Sequence, residues 1–425
     1  MIQQSRLENG LQIATNRLEG RNSIGLAIWV RVGGRHESKR LSGISHFVEH
    51  MLFKGTETRS TKRIKEEIEG IGGSMNAFTG EESTCYFVKV PKPHFADSFA
   101  VLQDMVNHST FKPDEIKKER TVILEEIKMY LDQPSQHVHE MIGELLWPNH
   151  ALGRTISGTC QTVNRIRRVD LLRHLESYYH PQNLLVTACG DLEHDEVHRL
   201  AVQFFGSRKK KHPSSFQTVQ LRPRARRSRL CFLQKQTEQT HFVLAFHGLS
   251  RTHPKRYHMA ILNVLLGGNM SSRLFEEVRE RRGLAYEIRS SIGFFEDTGA
   301  LSISAGVEPN KAPLALRVIM RELDRLRKKT ISKNELQRAK DYFQGQLLLG
   351  LEDTLDNILW FGERILYRDS PPKLRDIQRE VEKVMPDDVK RMANQLFNDQ
   401  NVHLALIGPH QEKYRKRTEA EIQLS

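Results

Sequence analysis

The sequence predicts an α+β chain of two homologous α/β halves, each a mostly antiparallel sheet covered by helices, facing each other across a cleft. Three observations carry this. First, 425 residues are long for a single core, while the 38% hydrophobic and 28% charged content is that of a globular chain. Second, the later part of the chain repeats the earlier part. Val307-Glu308-Pro309 closes a strand as Val90-Pro91 does, residues 332–336 open a helix as 112–116 do, and 401–408 echo 183–190. The offset is about 218 residues, the mark of a duplicated unit. Third, basic runs at 208–211 and 222–229 flank a Pro/Ser-containing stretch that reads as a solvated linker. The expected organisation is therefore a first half over 1–210, a basic linker over 211–229 and a second half over 230–425.

The elements follow in order. Leu11, Ile13 and Thr15, then Leu26, Ile28, Val30 and Val32, alternate as two strands of a hairpin over 8–32. Gly33-Gly34 ends it, and a buried helix follows through residues 43–55. A short helix near 61–71 stops at a glycine cluster. Strands are expected at 74–79 and 83–90, helices near 93–108 and 113–131, and more helix over 134–147 and 168–179. Residues 184–190 form a buried strand and 193–205 a helix.

The helix through residues 43–55 carries the chemistry. It reads His46-Phe47-Val48-Glu49-His50, with both histidines on one face because they are four residues apart. Two imidazoles can hold Zn²⁺, and a neighbouring unliganded carboxylate can accept a proton from water. A helix with two surface histidines is the plain alternative. Phe47, Val48, Met51, Leu52 and Phe53 make the segment apolar, however, so the polar trio needs a buried partner. The matching helix of the second half, 257–268, has no second histidine and no glutamate.

A third zinc ligand is expected from the helix over 115–130. Ile116, Glu119, Ile123, Glu126, Ile127 and Tyr130 share one face at the 3.6 period, and Glu125 is turned about 100° away. Glu126 is taken as the ligand and Glu119 as a group that orients the site.

On these residues the chain resembles the inverzincin peptidases of the pitrilysin–insulinase group, most closely the mitochondrial-processing-peptidase type. The shared text runs through His46–Thr56, Asn76-Ala77-Phe78-Thr79 and Glu119–Glu126, and returns in the second half over 271–286. The resemblance implies one zinc per chain on His46, His50 and Glu126. It also implies Glu49 as general base, Glu119 as auxiliary acid, and an edge strand at Asn76, Ala77 and Phe78 that pairs with an extended peptide. Arg279 and Tyr286 match an Arg/Tyr pair that reaches the active site from the second half, where donors to a developing oxyanion are useful. The implied function is a zinc endopeptidase acting on peptides or unfolded segments. A non-catalytic scaffold of the same fold is the rival. Larger members carry four such units, so a homodimer, or a heterodimer with a related subunit, is implied.

Other classes fare worse. The net charge of +13 invites nucleic-acid binding, but much of the excess lies in the linker runs. No apolar run approaches a membrane span, and the first residues carry no signal-type segment, so a cytoplasmic protein is expected. Cys85, Cys160, Cys189 and Cys231 are too scattered for a disulfide frame.

Overall fold

The computed structural model describes residues 2–209, 215–221, 229–368, 370, 373–409 and 412–423. Strands β1 (Ile2–Arg6), β2 (Gln12–Arg17), β3 (Ser23–Val30), β4 (Ser74–Thr79), β5 (Thr84–Pro91) and β6 (Leu184–Gly190) form one sheet, in the order β1-β2-β6-β3-β5-β4. Strands β7 (Leu230–Gln234), β8 (Thr240–Gly248), β9 (Ala285–Phe294), β10 (Gly299–Val307) and β11 (His403–Gly408) form a second, ordered β7-β11-β8-β10-β9. Each sheet has one parallel pair, β2 with β6 and β7 with β11, and is otherwise antiparallel. Beyond β1 the strand orders match one for one. The repeat in the sequence is a repeat in topology.

The helices of the first half are α1 (Ile44–Leu52), α2 (Thr61–Glu69), α3 (Phe95–His108), α4 (Pro113–Asp132), α5 (Pro134–Leu146), α6 (Cys160–Arg165), α7 (Arg168–Tyr178) and α8 (His194–Phe205). Those of the second are α9 (Arg256–Gly267), α10 (Ala312–Lys328), α11 (Lys333–Gly350), α12 (Thr354–Arg368), α13 (Leu374–Glu382), α14 (Pro386–Leu396) and α15 (Glu412–Glu421). None of the described helices is long and apolar enough to cross a membrane. All four cysteines are free.

The hairpin expected over 8–32 does not form. β2 and β3 are separated by β6, which pairs parallel to the first and antiparallel to the second. β6 is buried at every position and β3 at all but its first. Strands buried on both faces seek the sheet centre, and that outweighs their closeness in sequence. At this end of the chain the hairpin that forms joins β1 to β2 instead.

The compact units are not contiguous in sequence. One comprises Met1–Lys128, Arg154–Gln217 and Leu348–Lys373, and the other Met129–Gly153, Thr218–Leu347 and Leu374–Ser425. The reason lies in two helices at equivalent places in the repeat. α12 lays Ile358, Phe361 and Ile365 on Ala27, Trp29, Cys85 and Leu185 of the first sheet. α5 lays Val138, Ile142 and Leu146 on Val243, Ala245 and Ala405 of the second. Each half of the chain thus lends one helix to the sheet of the other half. Gly362 permits the first of these contacts, since a Cβ there would lie 2.4 Å from the Trp29 indole nitrogen.

Most of the stretch expected as a linker, 211–229, falls outside the described residues. Two arginines of its flanking runs are tied into the fold: half-buried Arg208 donates to Asn107 Oδ1 at 2.6 Å, and buried Arg229 donates to the Val402 carbonyl at 2.7 Å. Each satisfies an acceptor within its own unit.

Candidate metal centre

α1 begins at Gly43, whose φ of 93° is in the left-handed region that glycine tolerates. The first helical N–H groups have no partner within the helix. Here Glu37 supplies them: its two carboxylate oxygens accept from Gly43 N at 2.7 Å and Ser45 N at 2.8 Å. Ile44, Phe47, Val48, Met51 and Leu52 are buried and fix the rotation of the helix. His46, Glu49 and His50 are left on the less buried side.

α4 lies beside it. The Arg120 guanidinium sits 5.3 Å from the Phe47 ring centre and donates to the Ile166 carbonyl at 2.7 Å, tying α4 to α1 and to the loop after α6. Buried Ile116, Glu119, Ile123 and Ile127 define its inner face. Glu126 Oε2 lies 3.7 Å from His46 Nε2 and 3.6 Å from His50 Nε2, and the two Nε2 atoms are 3.2 Å apart. Glu125 points elsewhere, exposed and paired with Lys128 at 2.7 Å.

These three donor atoms fit zinc. Tetrahedral bonds of about 2.0–2.2 Å place ligand atoms roughly 3.3–3.5 Å apart, close to the triangle observed. Among the described residues the buried His46 Nδ1 has no hydrogen-bond partner, so a group that holds this ring acts at Nε2. Burial depresses His46 to about 3, which keeps the imidazole in the neutral form that binds metal. His50 Nδ1 is 2.9 Å from Glu119 Oε1, and Glu119 Oε2 is 2.6 Å from Lys54 Nζ. Burial disfavours charge on Glu119, yet His50 and Lys54 together hold its carboxyl below the usual range. An ionised Glu119 keeps the proton on His50 Nδ1 and leaves the Nε2 lone pair free.

Glu49 takes no part in the donor triangle. Its Oε2 accepts from Thr79 Oγ1 at 2.5 Å, and burial raises its pKa above the ordinary carboxylate value despite that bond. Thr79 ends β4, which among the described residues is an edge strand of the first sheet. Met75 and Ala77 of β4 pack against the core on the α1 side, and Thr79 continues that face. Phe78 faces the other way, against Trp29 at 5.8 Å and Phe87 at 6.2 Å. Asn76 Oδ1 accepts from Ala77 N at 2.8 Å, so the strand's own side chain covers that edge donor.

The second unit holds the remaining two candidates. Arg279 belongs to a π-helical turn (Phe275–Glu280), and its guanidinium lies 4.7 Å from the Phe275 ring centre and 4.9 Å from that of Tyr286. Tyr286 is 79% exposed near the start of β9.

Comparison with known proteins accords with this arrangement. Residues 12–160 match the family described as Insulinase (Peptidase family M16), and 165–343 match the Peptidase M16 inactive domain. The uncharacterized zinc protease YmxG of Bacillus subtilis is 37% identical over 409 residues, covering 96% of this chain and 98% of the relative. The chain belongs to peptidase family M16. An uncharacterized zinc protease of Streptomyces coelicolor is 36% identical, over 98% of this chain and 91% of its own length. Among solved structures, a protease from Helicobacter pylori matches with a TM-score of 0.90 at 24% identity, over 96% of this chain and 99% of that one. A chain of complex III2 from Candida albicans matches with a TM-score of 0.85 at 16% identity, over 99% of this chain and 100% of that one. At such identities these two show the fold.

Sequence reasoning passed over three members of this M16 site. Lys54 and Thr79 stand inside the motifs, and the alternation of β4 places Thr79 on the face of Ala77. Glu37 had no signal, because a loop carboxylate capping a helix from outside leaves no periodic trace. Its burial carries a consequence. Desolvation, opposed by the Ser45 and Gly43 N–H groups, pushes Glu37 from its ordinary 4.5 up to about 7. A raised carboxyl binds its proton more tightly in the folded state, so the stability it contributes is complete below about pH 4.5 and is lost as pH rises through 7. The loss is about 3 kcal/mol over that window. Thermal melts between pH 4.5 and 8 should show a steeper fall for the native chain than for Glu37→Gln. Parallel profiles would contradict this.

Proposed function

We propose that this chain is a zinc-dependent endopeptidase of extended peptides and unfolded segments. The observation that carries the reading is the donor triangle of His46, His50 and Glu126, with Glu49 close by but bound to Thr79 instead. Zinc held there supplies Lewis acidity, lowering the pKa of water and polarising a carbonyl oxygen. The protein's own groups do the rest. Glu119 and Lys54 keep His50 in the tautomer that offers Nε2. Glu49, with its raised pKa, accepts the proton of the attacking water and returns it to the leaving amine. Thr79 orients that carboxylate. β4, as an edge strand, offers the outward backbone groups of Ala77, between Asn76 and Phe78, to a substrate strand once the Asn76 side chain is displaced. Arg279 and Tyr286 are assigned to the oxyanion.

The names of the relatives support a zinc protease, and a scaffold of the same fold would have no use for Glu49. The assay is cleavage of an unfolded protein compared with its compact form, with and without a chelator. The unfolded form should be cut faster, all cleavage should stop on chelation, and Tyr286→Phe should lower kcat by about 10²–10³-fold. Equal rates on both forms contradict strand addition, and unchanged kcat removes Tyr286 from the reaction. The implied dimer is tested by sedimentation velocity, where a monomer at all concentrations contradicts it.

A further inference from the structure

The pair Arg279/Tyr286 stands on an unusual piece of backbone. An α-helical turn closes N–H to C=O bonds four residues apart, but here Arg281 N reaches Glu276 O at 2.9 Å, five residues back. Leu284 N then reaches Val278 O at 2.9 Å and Gly283 N reaches Arg279 O at 2.9 Å. Gly283, at φ 54°, reverses the chain into β9. This widened turn brings Tyr286 back beside Arg279, whose guanidinium lies between the Phe275 and Tyr286 rings. A π-turn is uncommon and frequent at functional sites.

Glu277 is placed to hold this turn. It is 8% exposed, in the middle of the turn. Its Oε1 lies 2.9 Å from Arg281 Nη1 and 3.8 Å from Arg325 Nη1, and its Oε2 lies 2.5 Å from Arg282 Nη1. Arg282 Nη1 also donates to the Glu277 carbonyl at 2.6 Å. One carboxylate therefore joins the turn to the two residues that follow it and to α10, on which Arg325 stands. Arg273, just before the turn, is held separately by both oxygens of Glu335 on α11, at 2.7 and 3.0 Å. The turn is clamped at its centre and at its entry. Removing the charge of Glu277 would take from Arg282 its 2.5 Å carboxylate partner, while Arg281 keeps Glu276 at 2.9 Å and Arg325 keeps Glu322 at 2.5 Å, so the tie between the turn, Arg282 and α10 is what is lost.

We infer that Glu277 is a positioning residue: its buried carboxylate holds the π-turn in the shape that sets Arg279 and Tyr286 for the reaction. It touches neither substrate nor metal and acts only through those two side chains. This rests on the assignment of Arg279 and Tyr286 to the oxyanion.

The test uses the zinc-loaded full chain, with Glu277→Gln and Glu277→Asp, alone and combined with Tyr286→Phe. Two readouts are taken: amide hydrogen exchange over residues 276–288, and kcat with KM on one peptide. Glu277→Gln should speed exchange in that segment and leave α1 protected. It should lower kcat by about 10–100-fold, as displacement of a positioned group does. Glu277→Asp should recover part of the loss. In the Tyr286→Phe background the same substitution should cost clearly less than in the native chain, because the part of its effect that runs through Tyr286 is already cut and only the part through Arg279 remains. Unchanged exchange overturns the inference, since Glu277 then does not hold the turn. Faster exchange with native kcat also overturns it. Full additivity with Tyr286→Phe shows that Glu277 does not set Tyr286 and overturns it as well. Native kcat in Tyr286→Phe alone refutes the oxyanion assignment itself, independently of what exchange shows for the turn. Should Glu277→Gln fail to fold, Arg282→Gln removes the 2.5 Å pairing from the other side and is read against the same outcomes.

Discussion

Glu49→Gln is expected to leave zinc in place and to lower kcat by about 10²–10⁴-fold, the usual worth of a general base. The amide has the shape of the carboxylate and can still accept from Thr79, which is 2.5 Å away in the native site. It cannot accept a proton from water. Because Glu49 stands outside the donor triangle, metal content and KM should stay near native values. The check is kcat and zinc stoichiometry measured on the same preparation. Zinc loss in this variant, or native kcat, contradicts the separation of base from ligands.

Removing a donor should have the opposite signature. His46→Ala, His50→Ala and Glu126→Gln are each expected to weaken zinc binding by more than the roughly 10–100-fold typical of losing an outer-shell partner. Glu119→Gln should fall inside that range, since it acts through His50 Nδ1. Glu125→Gln should bind zinc like the native chain, for its side chain is 65% exposed and paired with Lys128. Competition with a metal-buffering chelator measures all five. Zinc loss in Glu125→Gln with retention in Glu126→Gln would reverse the face assigned to α4.

Much of the site was legible because helices report their faces. His46 and His50 at a spacing of four, and Glu119 and Glu126 at a spacing of seven, share faces by geometry alone, and the structure sets the donors of His46, His50 and Glu126 together. The duplicated topology was legible from repeated strand ends. What failed was pairing between distant segments. Alternation in residues 11–15 and 26–32 marks two strands but does not say that β6 lies between them. Amphipathicity in α5 and α12 likewise marks an apolar face without naming the sheet it covers. The division at residue 210 illustrates the cost. A fragment ending there lacks α12 and bares Ala27, Trp29, Cys85 and Leu185. Each large apolar side chain so exposed forfeits roughly 1.5–3 kcal/mol. Such a fragment should be unstable even though it contains every zinc ligand.

The most direct test of the account is a zinc titration of the metal-stripped full chain, followed by cleavage of an unfolded protein. Activity should be absent at the start, rise in proportion to added zinc, and break sharply at one equivalent per chain. Glu126→Gln should show no such break, and Glu49→Gln should bind one equivalent without gaining activity. Cleavage by the stripped chain, or a fully loaded chain that cuts no peptide, would contradict a zinc peptidase built on His46, His50, Glu126 and Glu49.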